Sequence, residues 1–144
     1  MDTNGNTKKM LIKDLCSRLP YRVKVQHLPS QIPLEILSIN PNGVAWVTGD
    51  KGYPFEVDWK NCKPYLFPLS SMTEEQWIDT PYANLNKFTF DSFKCGCSTL
   101  AFETYEVNLS YVVEFINWCY KNHFDIYGLI PMGLAIDATG LNIY

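Results

Sequence analysis

Between Tyr21 and Trp59 apolar side chains recur at every second position, and this period constrains the fold more than any other feature. Tyr21, Val23 and Val25 alternate with Arg22, Lys24 and Gln26. The run from Leu34 to Ile39 follows, and then Asn40-Pro41-Asn42-Gly43, whose Asn-Gly pair supplies the positive φ angles of a tight hairpin turn. On the return strand Val44, Trp46 and Thr48 share one face, and Ala45 and Val47 the other. Asp50-Lys51-Gly52 turns the chain again, into Phe55, Val57 and Trp59 alternating with Glu56 and Asp58. Past Asn61-Cys62-Lys63, the stretch from Pro64 to Leu69 is short and extended. A flat meander cannot hide both faces, so it must curl or be covered. The strand lengths and the last turn suggest a small SH3-like antiparallel β-barrel, with Trp46 and Trp59 in its core.

Helical periods flank this segment. Residues 1–7 are polar, with Gly and Asn, and predict a frayed tail. Leu11, Leu15 and Leu19 then form a stripe, with Ile12 and Cys16 alongside, and Pro20 ends it. Residues 70–79 predict a short helix with a capping box, from Ser71 with Glu74 or Thr73 with Gln76. Residues 109–122 predict an amphipathic C-terminal helix. Its apolar face is Leu109, Val112, Val113, Ile116, Cys119 and Tyr120, opposed by Glu114, Asn117 and Lys121, with Asn122 closing it in a left-handed conformation. Residues 82–107 read as a second hairpin, joined near Lys94 to Gly96. The apolar tail from His123 is broken by Gly128, Pro131, Gly133 and Gly140, which predicts short extended pieces. The expected architecture is α+β in a single domain over 1–144. Residues 7–69 supply the N-terminal helix and the meander, and residues 70–144 the short helix, second hairpin, C-terminal helix and tail packed on it.

Composition supports a core. The 144 residues are 47% hydrophobic and 19% charged, which excludes an intrinsically disordered chain. A net charge of -3 excludes a basic footprint over the whole molecule. The charge is nevertheless divided: residues 1–65 hold nine Lys/Arg and six acids, and residues 66–144 hold three Lys and nine acids. The basic half either meets an acidic or phosphate-bearing partner or complements the acidic half of its own chain. The polar start lacks the apolar stretch of a secretory signal, and no run is apolar enough for a membrane span. With an odd number of cysteines, five, the expectation is reduced thiols in a cytoplasm.

Few residues suggest chemistry. Cys95-Gly96-Cys97, with His27 or His123, lacks the spacing and the fourth ligand of a zinc site, so packing or hairpin-tip cysteines are expected, with no metal and no cofactor. His123 stands just past a helix end with Asp125 two residues on, which reads as a helix stop or a hydrogen-bonded core residue. Phosphate-loop, dinucleotide, zinc-protease and nucleophile-elbow motifs are absent. Glu74-Glu75 and Glu103/Glu106 have no partners suited to acid–base work. The expected class is therefore a non-enzyme. Aromatic residues point elsewhere: the chain has 8 Phe, 9 Tyr and 4 Trp. Tyr53 and Tyr65 are interleaved with Lys51, Lys60 and Lys63, a pattern suited to stacking on nucleobases, and both tyrosines are equally compatible with a core. Together with Tyr127 in the tail, these are the candidate binding residues.

Three stretches, Lys13 to Val25, Lys63 to Glu75 and Asn122 to Ile136, resemble a family of small uncharacterised proteins of gut Bacteroidales, their prophages and their phages. The resemblance implies a bacterial host cytoplasm and mobile genetic elements. It implies no activity, cofactor or catalytic residue. The expectation is a protein-interaction module that binds a host or phage protein. The alternatives are capture of a nucleotide-like small ligand in an aromatic pocket, and binding of single-stranded nucleic acid through the basic half.

Overall fold

In a computed structural model, which describes residues 3–27, 32–40, 42–49, 52–84, 90 and 109–144, the period-two segment forms four antiparallel strands. They are β1 (Lys24–His27), β2 (Pro33–Asn40), β3 (Val44–Thr48) and β4 (Phe55–Asp58). Strand β5 (Cys62–Pro68) pairs antiparallel with β1, and β6 (Phe124–Asp125) and β7 (Ile136–Asp137) pair parallel with β5. Among the described residues the order is β4-β3-β2-β1-β5-β6, with β7 also on β5. The chain is α+β, as its two periodicities predict.

Closure into an SH3-like barrel is not seen. The order is open, and among the described residues β4 pairs with β3 alone. A helix covers the meander's apolar face instead. Leu11 and Leu15 of α1 (Thr3–Arg18) pack with Val23, Val25, Leu34, Ile36, Ala45, Val47, Val57 and Trp59. Covering by a helix hides the apolar face without closing the sheet. Helix α1 also begins at Thr3, so the expected frayed tail is mostly helical. It ends in a 3₁₀ turn, Leu19–Tyr21, with Pro20 inside. Arg22 then takes a left-handed conformation, φ 57°, and turns the chain into the sheet.

A second apolar cluster lies beyond β5. It joins Leu69 and Met72 to Trp77 of α2 (Glu74–Ile78), Phe115 and Cys119 of α3 (Leu109–Lys121), and Phe124. Helix α2 has the reciprocal capping box of Thr73 and Gln76: the Gln76 N–H donates to Thr73 Oγ1, and the Thr73 N–H to Gln76 Oε1. Helix α3 is turned relative to the expected face. Phe115 is fully buried while Val113 is exposed, because the aromatic ring covers more apolar area against Trp77 and Phe124. Asn122 does not close α3 in the left-handed region; His123 does, with φ 62° and its N–H donating to Tyr120 C=O. The Asn122 side chain instead donates to Trp118 C=O. The expected second hairpin, with Cys95 and Cys97, lies outside the described residues. The tail does run in short extended pieces, β6 and β7.

Candidate interaction surface

The β3–β4 hairpin is where exposed rings gather. Trp46 is 42% exposed, Tyr53 94% and Phe55 44%; among the described residues these are three of four exposed aromatics, the fourth being Tyr144. The exposure of Trp46 corrects the expectation that it fills the core. On β3 the fully buried Ala45 and Val47 take the face covered by α1, and strict alternation puts Trp46 on the other face. On β2 the register with β3 shifts between Ile36 and Ser38, which makes Leu37 an extra, bulged residue. The bulge keeps both Ile36 and Ile39 inward, opposite Val47 and Ala45. Trp46, opposite Ser38 and Glu56, is left on the outer face with exposed Leu37 nearby. Trp59 is buried, as expected.

Charge and backbone shape this hairpin. Glu56 and Asp58 stand on the outer face of β4, opposite Trp46 and Val44. Among the described residues neither carboxylate is in an ion pair; the two pairs are Arg18–Asp14 and Arg22–Glu35. Asp58 caps the 3₁₀ turn Trp59–Asn61 by accepting from the Lys60 N–H at 2.9 Å. At the other end, Gly43 (φ 109°) donates its N–H to Asn40 C=O, and the Asn42 N–H donates to Asn40 Oδ1. A shallow groove of about 400 Å³ runs along Gly43, Val44, Glu56, Asp58 and Lys60.

The six residues singled out in the sequence do not form one site. Tyr53 is almost wholly exposed in the β3–β4 connection, and Lys60 is exposed beside the groove. Lys51 lies outside the described residues. Lys63 is half-buried on β5, opposite Gln26 and on the far side of β1 from the hairpin. Tyr65 is buried, and its C=O accepts from the Tyr144 hydroxyl at 2.8 Å. Tyr127 is half-buried, with Tyr120 donating to its hydroxyl and Lys13 Nζ 5.7 Å from its ring. Lys60 Nζ sits 5.9 Å from the Trp59 ring.

A buried polar knot went unread in the sequence. Asp14 and Arg18 form a bidentate ion pair, at 2.8 and 2.9 Å, with both side chains wholly buried. The Arg18 guanidinium also donates to Phe124 C=O and lies 5.0 Å from the Tyr120 ring. His123 stacks on Tyr144, ring centroids 3.7 Å apart, and Asp125 accepts from the Leu129 and Ile130 N–H groups. Burial, then the Arg18 and Lys24 charges, pushes His123 down to about 4. Burial pushes the Tyr144 hydroxyl up to about 12. Burial also raises Asp14, against the Arg18 bonds that lower it. One signal was available: Arg18 is at i+4 from Asp14 and i+7 from Leu11, on the helix face that Leu11 and Leu15 bury.

Of the three described cysteines, Cys62 and Cys119 are buried and Cys16 is exposed. Burial pushes Cys62 up to about 11 and Cys119 up to about 12, so neither is a thiolate at neutral pH. Among the described residues no three His, Cys, Asp or Glu side chains gather to hold a metal ion. None of the described helices is long and apolar enough to cross a membrane. No protein-family model matches this chain, and neither a curated protein nor a solved structure does.

Proposed function

We propose that this chain is a non-enzymatic protein-interaction module of the bacterial cytoplasm, in a phage or prophage context, which binds a host or phage protein through the β3–β4 hairpin. One observation carries the proposal: three aromatic residues are exposed on one hairpin at the end of the described sheet, Trp46 on its outer face, Phe55 on its inner face and Tyr53 in the connection between the strands. Exposed aromatic rings are costly to leave in water and are enriched where proteins meet. This reading does not require the meander to close into a small barrel.

The alternatives draw less support. A nucleotide-like ligand held between rings would use Tyr65 and Tyr127, but Tyr65 is buried and the Tyr127 hydroxyl already accepts from Tyr120. Single-stranded nucleic acid would need cations among the exposed rings, whereas Glu56 and Asp58 flank Trp46 and repel phosphate. Affinity capture from a Bacteroidales lysate, with the native chain and a W46S/F55S variant, tests the proposal. The native chain is expected to retain a protein that the variant loses, both being folded by circular dichroism. Equal capture by both, or capture by neither, overturns it.

A further inference from the structure

We infer that the outer edge of β4 accepts an extended partner segment in which Lys or Arg alternates with apolar residues, added to the sheet as a further strand. The inference rests on the interaction reading above and supplies its geometry and the chemistry of the partner.

The backbone is set for this. Residues Val44, Ala45, Trp46 and Val47 face Asp58, Val57, Glu56 and Phe55 in antiparallel register. The Trp59 N–H donates to Gly43 C=O at 3.2 Å, and this pair continues the same register. In an antiparallel ladder, hydrogen-bonded and non-bonded pairs alternate. The phase set by Trp59 and Gly43 turns the backbone groups of Val57 and Phe55 toward β3. It turns the N–H and C=O of Glu56, and the N–H of Asp58, away from the sheet. Outward donors and acceptors on an edge strand are a template for another strand.

The side chains choose the partner. A residue that exchanges both hydrogen bonds with Glu56 lies directly across from it, on the same outer face. A cation there meets the Glu56 carboxylate, and a long side chain reaches back toward the exposed Trp46 ring. The neighbouring partner positions fall on the inner face, beside half-exposed Phe55, and call for apolar residues. A second copy of this chain is a poor occupant. Antiparallel pairing of β4 with itself keeps like faces together, which puts Glu56 opposite Glu56 or Asp58. Like charges placed directly opposite destabilise a pair.

The test titrates the isotope-labelled full chain with a capped peptide alternating Lys and Val, and with its Glu/Val counterpart. Shifted and exchange-protected amides at Glu56 and Asp58 are expected with the Lys/Val peptide, along with weaker binding by the Glu/Val peptide. An E56K/D58K variant should bind the Lys/Val peptide about tenfold more weakly and the Glu/Val peptide more tightly. No binding, equal binding of the two peptides, or protection centred away from β4 overturns the inference. The two readings fail separately. If E56K/D58K still captures the partner that W46S/F55S loses, strand addition falls and the interaction surface stands. If the peptide protects Glu56 but W46S/F55S captures as the native chain does, the edge binds strands and the aromatic surface falls.

Discussion

The β3–β4 hairpin and the knot around Arg18 are built from the same kinds of residue and use them in opposite ways. Both combine aromatic rings with carboxylates. In the knot, Asp14 is held by Arg18, Arg18 also reaches Phe124 C=O, and His123 is covered by Tyr144. Every charge there points inward, and the product is attachment of the C-terminal residues to α1 and β5. On the hairpin, Trp46, Tyr53 and Phe55 face solvent, and Glu56 and Asp58 have no ion-pair partner among the described residues. An abundance of aromatic residues therefore does not by itself mark a surface. What separates the two regions, among the described residues, is whether the carboxylates beside the rings are paired with a cation: Asp14 is, although Arg18 Nη1 and His123 Nδ1 are buried there without a hydrogen-bond partner, and Glu56 and Asp58 are not.

The sharpest way to break this contrast is to remove one member of the buried pair. Arg18→Met leaves the Asp14 carboxylate buried without its partner and should cost about 3–5 kcal/mol in a urea unfolding curve. Adding Asp14→Leu should recover much of that loss, since two apolar residues bury no charge. A full-sized loss that the second change leaves untouched would mean that the bond to Phe124, rather than the ion pair, holds the knot.

The next effect is a pH dependence confined to one side of the comparison. His123 falls from 6.5 in the unfolded chain to about 4 in the folded one. The unfolded chain therefore takes up this proton first as pH drops. The stability tied to a neutral His123 is complete above about pH 6.5 and is lost progressively towards pH 4, with a limit of about 3 kcal/mol. The difference in unfolding free energy between the native chain and His123→Gln, followed across that window, isolates this residue from the carboxylates. A flat difference would show that His123 is not shielded.

The smallest effect belongs to the hairpin. W46S should shift the unfolding midpoint by no more than about 0.5 kcal/mol allows, because the ring is half in water. A loss of several kcal/mol would make Trp46 a structural residue and remove the contrast with the knot.

Much of the fold was legible because it rests on period. The stripe through Leu11 and Leu15, the alternation from Val23 to Trp59 and the Thr73–Gln76 cap each state their geometry locally. Alternation defines two faces without saying which one is covered. Trp46 was assigned inward because it falls on the regular alternation, whereas the other set on β3, Ala45 and Val47, is the one that α1 covers. On β2 the bulge at Leu37 changes the parity of the strand and keeps both Ile36 and Ile39 inward, and no single position announces it. The knot was illegible for a different reason. Asp14 and Arg18 stand over a hundred residues from Phe124, and an i,i+4 ion pair on a helix reads as solvated until a distant segment covers it. Of the candidate binding residues, Tyr53 is fully exposed and Tyr65 is buried, though the sequence treated them alike.

The parallel pairing of β5 with β6 and β7 has a consequence for the order in which the chain can assemble. Tyr65 to Pro68 take their partners from Phe124–Asp125 and Ile136–Asp137, whereas Cys62 to Pro64 pair with β1 nearby in sequence. On the ribosome, the first half of β5 can dock as soon as it emerges. The second half must wait for more than fifty further residues, its hydrogen-bonding groups in water meanwhile. Contacts of such long sequence separation form slowly. The meander is thus the natural early-forming unit during synthesis, and Arg18 meets Phe124 only in the closing step.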